Sequence, residues 1–429
     1  MSSVDAFIQT LRSLGDPRDM ESSVNAGDAF DFHGNTNTHV HLPPNFSAFQ
    51  SLQQALDMAV NEGVKALGAS NYYDYSVYGQ FATLAMQKGI FPLFGIEIIA
   101  LMEDLVENGT LINDPGNFGK IYICGKGITK FSPMSENASR LLQTIRVNDS
   151  LRMNEMTRKL SYIFVNAGID IALTPDIIKE RIATRTGVSP DTVYLQERHL
   201  AQAFQEAFYE STPVADRSEK LRTILGASPK NAMDPVLVQN DIRTYLMKAG
   251  GPAFEPDTFV NFEHAYTLIL ALGGIPSYPT LADGAKPICA YEEPVEDLIE
   301  KLRRLNVHAA EFIPNRNTPE VLSRYVHAIR DAGFVVTAGT EHNTQELLPI
   351  TPACVGGTPI PKDVQDIFCE GACVLVTHQY LSLMGLTGFV ESDGTVNSRY
   401  GSDNERISFF RALGERILMK YQEATSHVN

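Results

Sequence analysis

Two hydrophobic periods divide this chain, and their order limits the folds open to it. Up to residue 124, short apolar runs of strand length alternate with stretches whose apolar residues recur every three to four positions. The spacing predicts strands over 36–41, 66–70, 91–100 and 120–124, with helices over 48–61 and 76–88. The alternation returns after residue 262, with helices over 262–271, 295–305 and 319–332, strands over 274–278, 309–313 and 334–339, and a further strand at 374–377. Repeated βα units bring parallel strands together beneath a layer of helices, because each crossover needs a helix's length to return. Between about 135 and 250 only the helical period is found, over 137–167, 175–186, 197–210 and 235–248; Thr174 before Pro175 reads as a cap and Gly187 as a stop. We therefore expect an α/β barrel interrupted by a large helical insertion: an N-terminal helix and lead over 1–30, barrel over 31–130 and 259–400, insertion over 131–258, and a C-terminal helix over 401–429.

Composition removes several functions. The formal net charge is −16, opposite in sign to what a nucleic-acid surface concentrates, so no nucleic-acid partner is expected. The most apolar run, 90–102, is short and contains Glu97, so no membrane span is expected either. Cys124, Cys289, Cys354, Cys369 and Cys373 form an odd set without a CxxC pair, which fits buried thiols in a reducing compartment. The first 14 residues lack the basic start and apolar middle of a signal peptide. A cytoplasmic protein is the expectation; oligomeric state is not legible.

Polar residues gather where the barrel strands end. In His39-Val40-His41-Leu42-Pro43-Pro44 the two imidazoles share one face of a strand, and the prolines stop ladder pairing. The other strand ends contribute Asn71 and Tyr72, Glu97, Tyr278, Arg316, and the run Glu341-His342-Asn343. Glu97 stands out, because a carboxylate inside Leu93-Phe94-Gly95-Ile96-Glu97-Ile98-Ile99 is costly to bury without a cation or a strong donor. Imidazole and carboxylate together suit Zn²⁺, Mn²⁺ or Fe²⁺. His33, His264, His308, His327, His378 and His427 read as structural or surface residues.

The succession His39-x-His41, Gly95-Ile96-Glu97, Arg198-His199-Leu200-Ala201 and Gly339-Thr340-Glu341-His342-Asn343 resembles the polymerase-and-histidinol-phosphatase (PHP) superfamily over most of residues 31–345. That resemblance implies a distorted seven-stranded parallel β/α barrel, TIM-like, whose bound metals hydrolyse phosphoesters. It makes His39, His41, Glu97 and His199 metal ligands and puts Glu341, His342 and Asn343 where the family carries its last ligands. The chain departs from the pattern at Asn71-Tyr72, Tyr122 and Tyr278, where the family has His or Asp donors, so one or two divalent ions are expected rather than three. Arg198 and Arg316 would hold the phosphate, with Asn71, Tyr72 and Tyr278 as further substrate contacts, and a metal-bound water would be the nucleophile. The first reading is a hydrolase of a small phosphorylated metabolite. A barrel with a degenerate metal site that only binds its ligand, and a metal-dependent sugar isomerase or lyase, stay open beside it.

Overall fold

The computed structural model describes residues 3–25, 32 and 34–426. His33, His427 and residues 26–31 of the polar lead lie outside them. Seven strands form one sheet in chain order: β1 (Asn35–Val40), β2 (Val64–Ala69), β3 (Phe91–Leu101), β4 (Lys120–Lys126), β5 (Ile275–Thr280), β6 (Ala309–Phe312) and β7 (Val335–Ala338). The two-residue strand Val260–Asn261 adds to the far end of β3.

β1 to β3 are parallel, and so are β5 to β7, as the βα alternation requires. β4 departs from the expected all-parallel sheet: it runs antiparallel to both β3 and β5. The connection from β3 to β4 holds only the five-residue helix Glu103–Glu107, too short for a crossover, so the chain doubles back. β3 serves two partners in turn, residues 91–94 against β2 and residues 95–101 against β4, with Glu97 opposite Cys124.

The sheet curls until its first and last strands meet at the mouth. The carbonyl of His39 accepts from the N–H groups of Thr340 (3.0 Å) and Glu341 (2.9 Å), and the N–H of His41 donates to the carbonyl of Glu341 at 2.7 Å. Gly339 permits this approach, since a Cβ there would lie 2.3 Å from the His39 Cβ. The result is a nearly closed barrel of seven strands with helices outside.

One helix ties the barrel to the helical segment. Over Glu136–Asn166, Ala138, Leu142 and Ile145 pack into the barrel's core, whereas Met153, Met156, Leu160 and Phe164 belong to a second hydrophobic cluster built from the helices between 153 and 253. Two expectations change. Residues 374–377 are no strand but the middle of the helix Lys362–Leu383, buried on all sides, so its apolar run hid the helical period. The helix expected over 235–248 ends at Ile242 and continues as a π turn over Arg243–Met247. Among the described residues no helix is long and apolar enough to cross a membrane.

Candidate metal and substrate site

His39, late in β1, and His41, just beyond it, point to one side, as a period of two dictates. Glu97 reaches the same point from β3. The three are buried, and their donor atoms form a small triangle: His39 Nε2 to His41 Nε2 3.3 Å, His41 Nε2 to Glu97 Oε2 3.0 Å, and His39 Nε2 to Glu97 Oε2 3.7 Å. Among the described residues His41 Nδ1 has no hydrogen-bond partner, although it is inaccessible to solvent, and the Glu97 carboxylate is met only by the two imidazoles and the Tyr72 hydroxyl. Three such atoms packed so closely repel one another unless a proton or a metal ion lies among them. Ligands at 2.0–2.1 Å around a tetrahedral ion stand ~3.3 Å apart, close to the sides of this triangle. Burial pushes the Glu97 carboxyl up, but the imidazoles of His41 and His39 outweigh it and hold the group below its ordinary range, as an anion. These residues therefore fit a divalent cation.

Beneath the triangle lies a pair that sequence reasoning missed. Glu311 of β6 accepts from His39 Nδ1 at 2.7 Å, and its other oxygen meets Lys126 Nζ at 2.6 Å and the Thr38 hydroxyl at 3.1 Å. Both charged side chains are sealed from solvent. Burial raises Glu311, and Lys126 with His39 more than cancels that, leaving the carboxyl at about 2. A fixed carboxylate on Nδ1 puts the proton there and turns the Nε2 lone pair of His39 toward Glu97. Glu311 sits in Ala309-Ala310-Glu311-Phe312-Ile313, the same acid-in-an-apolar-run signal that exposed Glu97. Lys126, between two glycines, gave none.

Above the triangle, a cavity of about 350 Å³ separates the barrel mouth from the helical segment. Tyr72 lines it, stacks on His41 with ring centroids 4.8 Å apart, and turns its hydroxyl to Glu97. Burial, then Glu97, pushes this phenol well above its ordinary range, and burial takes Tyr122 up to about 12, so both stay protonated donors. Arg316 also lines the cavity, held by Glu341 through two parallel hydrogen bonds, one of them 2.9 Å; Asn343 donates to the same carboxylate at 2.6 Å. Glu341 and His342 both have left-handed backbone, φ 57° and 53°, a strained choice for non-glycine residues that tends to mark functional turns.

The opposite wall is cationic. Arg152, Arg243 and Lys248 share the carboxylate of Glu197, at 2.7, 3.6 and 2.9 Å, while Arg198 has no acid bonded to it among the described residues. Its guanidinium lies 5.9 Å from the Phe46 ring, and burial with neighbouring Arg243 pushes it down to about 10, as befits a cation lacking a counter-charge. Arg243 Nε is buried without a hydrogen-bond partner among the described residues.

Four expected site residues reach neither the triangle nor the cavity above it. His199 faces another cavity, beside Arg185; its Nδ1 accepts the Gln196 N–H and the Pro44 carbonyl takes up the ring's other side, so neither nitrogen is free for a metal. His342 is likewise used up, between the Thr340 hydroxyl at 2.7 Å and the Leu348 carbonyl at 2.9 Å. Tyr278 is fully buried and donates to Glu292 at 3.0 Å, away from the cavity. Asn71 pairs with the backbone of Leu42 through both ends of its amide, bracing the loop after His41 instead of facing substrate. Glu341 and Asn343 reach the cavity but engage Arg316 and each other.

No protein-family model matches the chain, and no curated protein is significantly similar to it. Among solved structures, it is similar to a Bifidobacterium adolescentis protein provisionally named a metal-dependent phosphoesterase, at 15% identity and TM-score 0.52 over 80% of this chain and 97% of that one. It is also similar to an amidohydrolase from Chromobacterium violaceum, at 15% identity and TM-score 0.47 over 78% and 96% of the two chains. At such identity the first likeness speaks for the fold, and that fold is the barrel which the PHP resemblance implied.

Proposed function

We propose that this protein is a metal-dependent hydrolase that cleaves phosphate esters of a small molecule. The observation that carries the reading is the buried triangle of His39 Nε2, His41 Nε2 and Glu97 Oε2 opening toward a cavity with a cationic wall. Six lysines and arginines and five carboxylates line that cavity; five of the cations are paired with acids, and Arg198, which has no acid bonded to it among the described residues, is the one placed to receive an anion. The cavity's volume falls in the range of small-molecule sites, roughly 300–1,000 Å³. The name borne by the Bifidobacterium fold relative agrees with this reading.

His39, His41 and Glu97 would hold the ion, with Glu311 orienting His39 from behind. A divalent ion so held supplies a Lewis acid and brings the pKa of a bound water toward ~7. Arg198 offers its planar fork to phosphoryl oxygens with no internal acid to displace. Arg316, aimed by Glu341 and Asn343, fixes a second edge of the anion. Tyr72, kept as a phenol by its surroundings, donates a hydrogen bond beside Glu97.

The replacement of His donors by Tyr72 and Tyr122 favours a second reading, a ligand-binding barrel without turnover. One experiment separates them. Purified protein is assayed for bound metal and for inorganic phosphate released from sugar and nucleotide phosphates. Metal with phosphate release, lost in His39→Ala at unchanged circular dichroism, supports the hydrolase; phosphate-ester binding without release supports the second reading.

A further inference from the structure

Besides the triangle, one other group of donors among the described residues could gather a metal ion: His39, Cys124 and Glu311. It already holds a cation. Lys126 Nζ lies 2.6 Å from Glu311 Oε1 and 3.4 Å from His39 Nδ1, with the Thr38 carbonyl and the Ser70 hydroxyl each at 3.3 Å. Its side chain is 2% exposed and that of Glu311 is fully enclosed. Desolvating such a pair inside a barrel opposes folding as much as the attraction favours it, and apolar residues of like volume would serve stability as well. A role beyond packing accounts for its presence, and the pair's third member is His39, a corner of the candidate metal triangle.

We propose that the Lys126 ammonium is a built-in substitute for a second metal ion, limiting the centre to one divalent cation. The inference rests on the metal-binding reading of the triangle. Lys126 supplies the positive charge that Glu311 requires, so Glu311 accepts the His39 proton without drawing in a second ion, and Cys124, level with Glu97 in the ladder, stays a thiol. Lys126 is accordingly a positioning residue, acting through Glu311 and His39 rather than touching substrate.

Cobalt(II) alone tests this, read by native mass spectrometry and by the near-ultraviolet charge-transfer band that appears when a thiolate binds cobalt. The wild type is expected to take one Co²⁺ with no thiolate band. Lys126→Met, which keeps the length and removes the charge, is expected to take a second Co²⁺ at Glu311 and Cys124 with a thiolate band, the thiol's proton passing to solvent as the Co–S bond forms, and the double variant K126M/C124A to lose that band. Lys126→Gln, whose amide can still donate to Glu311, serves if the Met variant does not fold, and should gain the same second ion. Two ions or a thiolate band in the wild type overturn the proposal, as does a folded Lys126 variant that still takes only one. A wild type that takes no cobalt overturns instead the metal-binding reading on which it rests.

Discussion

His39 Nδ1 lies 2.7 Å from Glu311 Oε2, with both side chains almost wholly removed from solvent. The imidazole's second nitrogen can therefore present a lone pair to an ion only while this carboxylate keeps the proton on the first. Glu311→Gln removes that control, and metal affinity should fall about 10–100-fold, measured by competition with a chelating dye. It also strands Lys126, so an accompanying loss of stability of about 3–5 kcal/mol is expected in denaturant titrations.

Glu97 is a buried acid held below its ordinary range by His41 and His39, with its Oε2 3.0 Å from His41 Nε2. Adding Mn²⁺ or Zn²⁺ should raise the melting temperature, by the equivalent of about 2.7 kcal/mol at one hundred times the dissociation constant. Glu97→Gln should abolish the response. An unchanged response in this variant would move the ion away from the triangle.

Arg198 and Arg316 face one cavity but should behave differently when truncated. Arg198→Ala removes a guanidinium that has no acid bonded to it among the described residues and is repelled by Arg243 more than Glu341 attracts it, so stability should be unchanged or slightly higher while affinity for inorganic phosphate drops at least tenfold. Arg316→Ala leaves Glu341 without its fork and should cost about 1–3 kcal/mol of stability in addition. Calorimetric binding and thermal melts on the two variants test the contrast.

Asp149, on the cavity wall beside Tyr73, is raised to about 7, first by burial. Arg152 and a hydrogen bond from Tyr73 pull the other way without cancelling burial. A carboxyl whose folded pKa is raised favours folding in its protonated form. That contribution is complete below the unfolded value of ~3.9 and is lost as pH rises toward 7. Unfolding free energies between pH 4 and 8 should show a decline attributable to this residue, and Asp149→Asn should flatten it.

How far the sequence reveals the site follows from what each residue answers to. His39 and His41 are legible because a two-residue period is a local property, and Glu97 because an acid in an apolar run needs an explanation wherever it falls. Glu311 carried that same signal. Lys126 could not be found this way: a lysine at the end of a strand usually reaches solvent, and only closure of the barrel turns this one inward. His199 and His342 were drawn toward the metal by their place in a motif, whereas their ring nitrogens are engaged by Pro44 and Gln196, and by Thr340 and Leu348. The direction of β4 follows from the link after β3, whose only helix is the five-residue Glu103–Glu107, a feature of connection length that the period of apolar residues does not report.

The helix Glu136–Asn166 is 31 residues long, about 46 Å at 1.5 Å per residue, and its two halves are fastened in different cores. Such a rod transmits rather than absorbs displacement. Swinging the arginine-bearing wall away from the triangle would require bending the rod or pulling one end from its packing, so under the proposed function the span between Arg198 and the corner formed by His39, His41 and Glu97 is expected to hold like the jaw of a caliper. A phosphoesterase so built would sort molecules by length, and an ester whose anion sits one bond too far from its scissile oxygen should be refused however well each end fits alone.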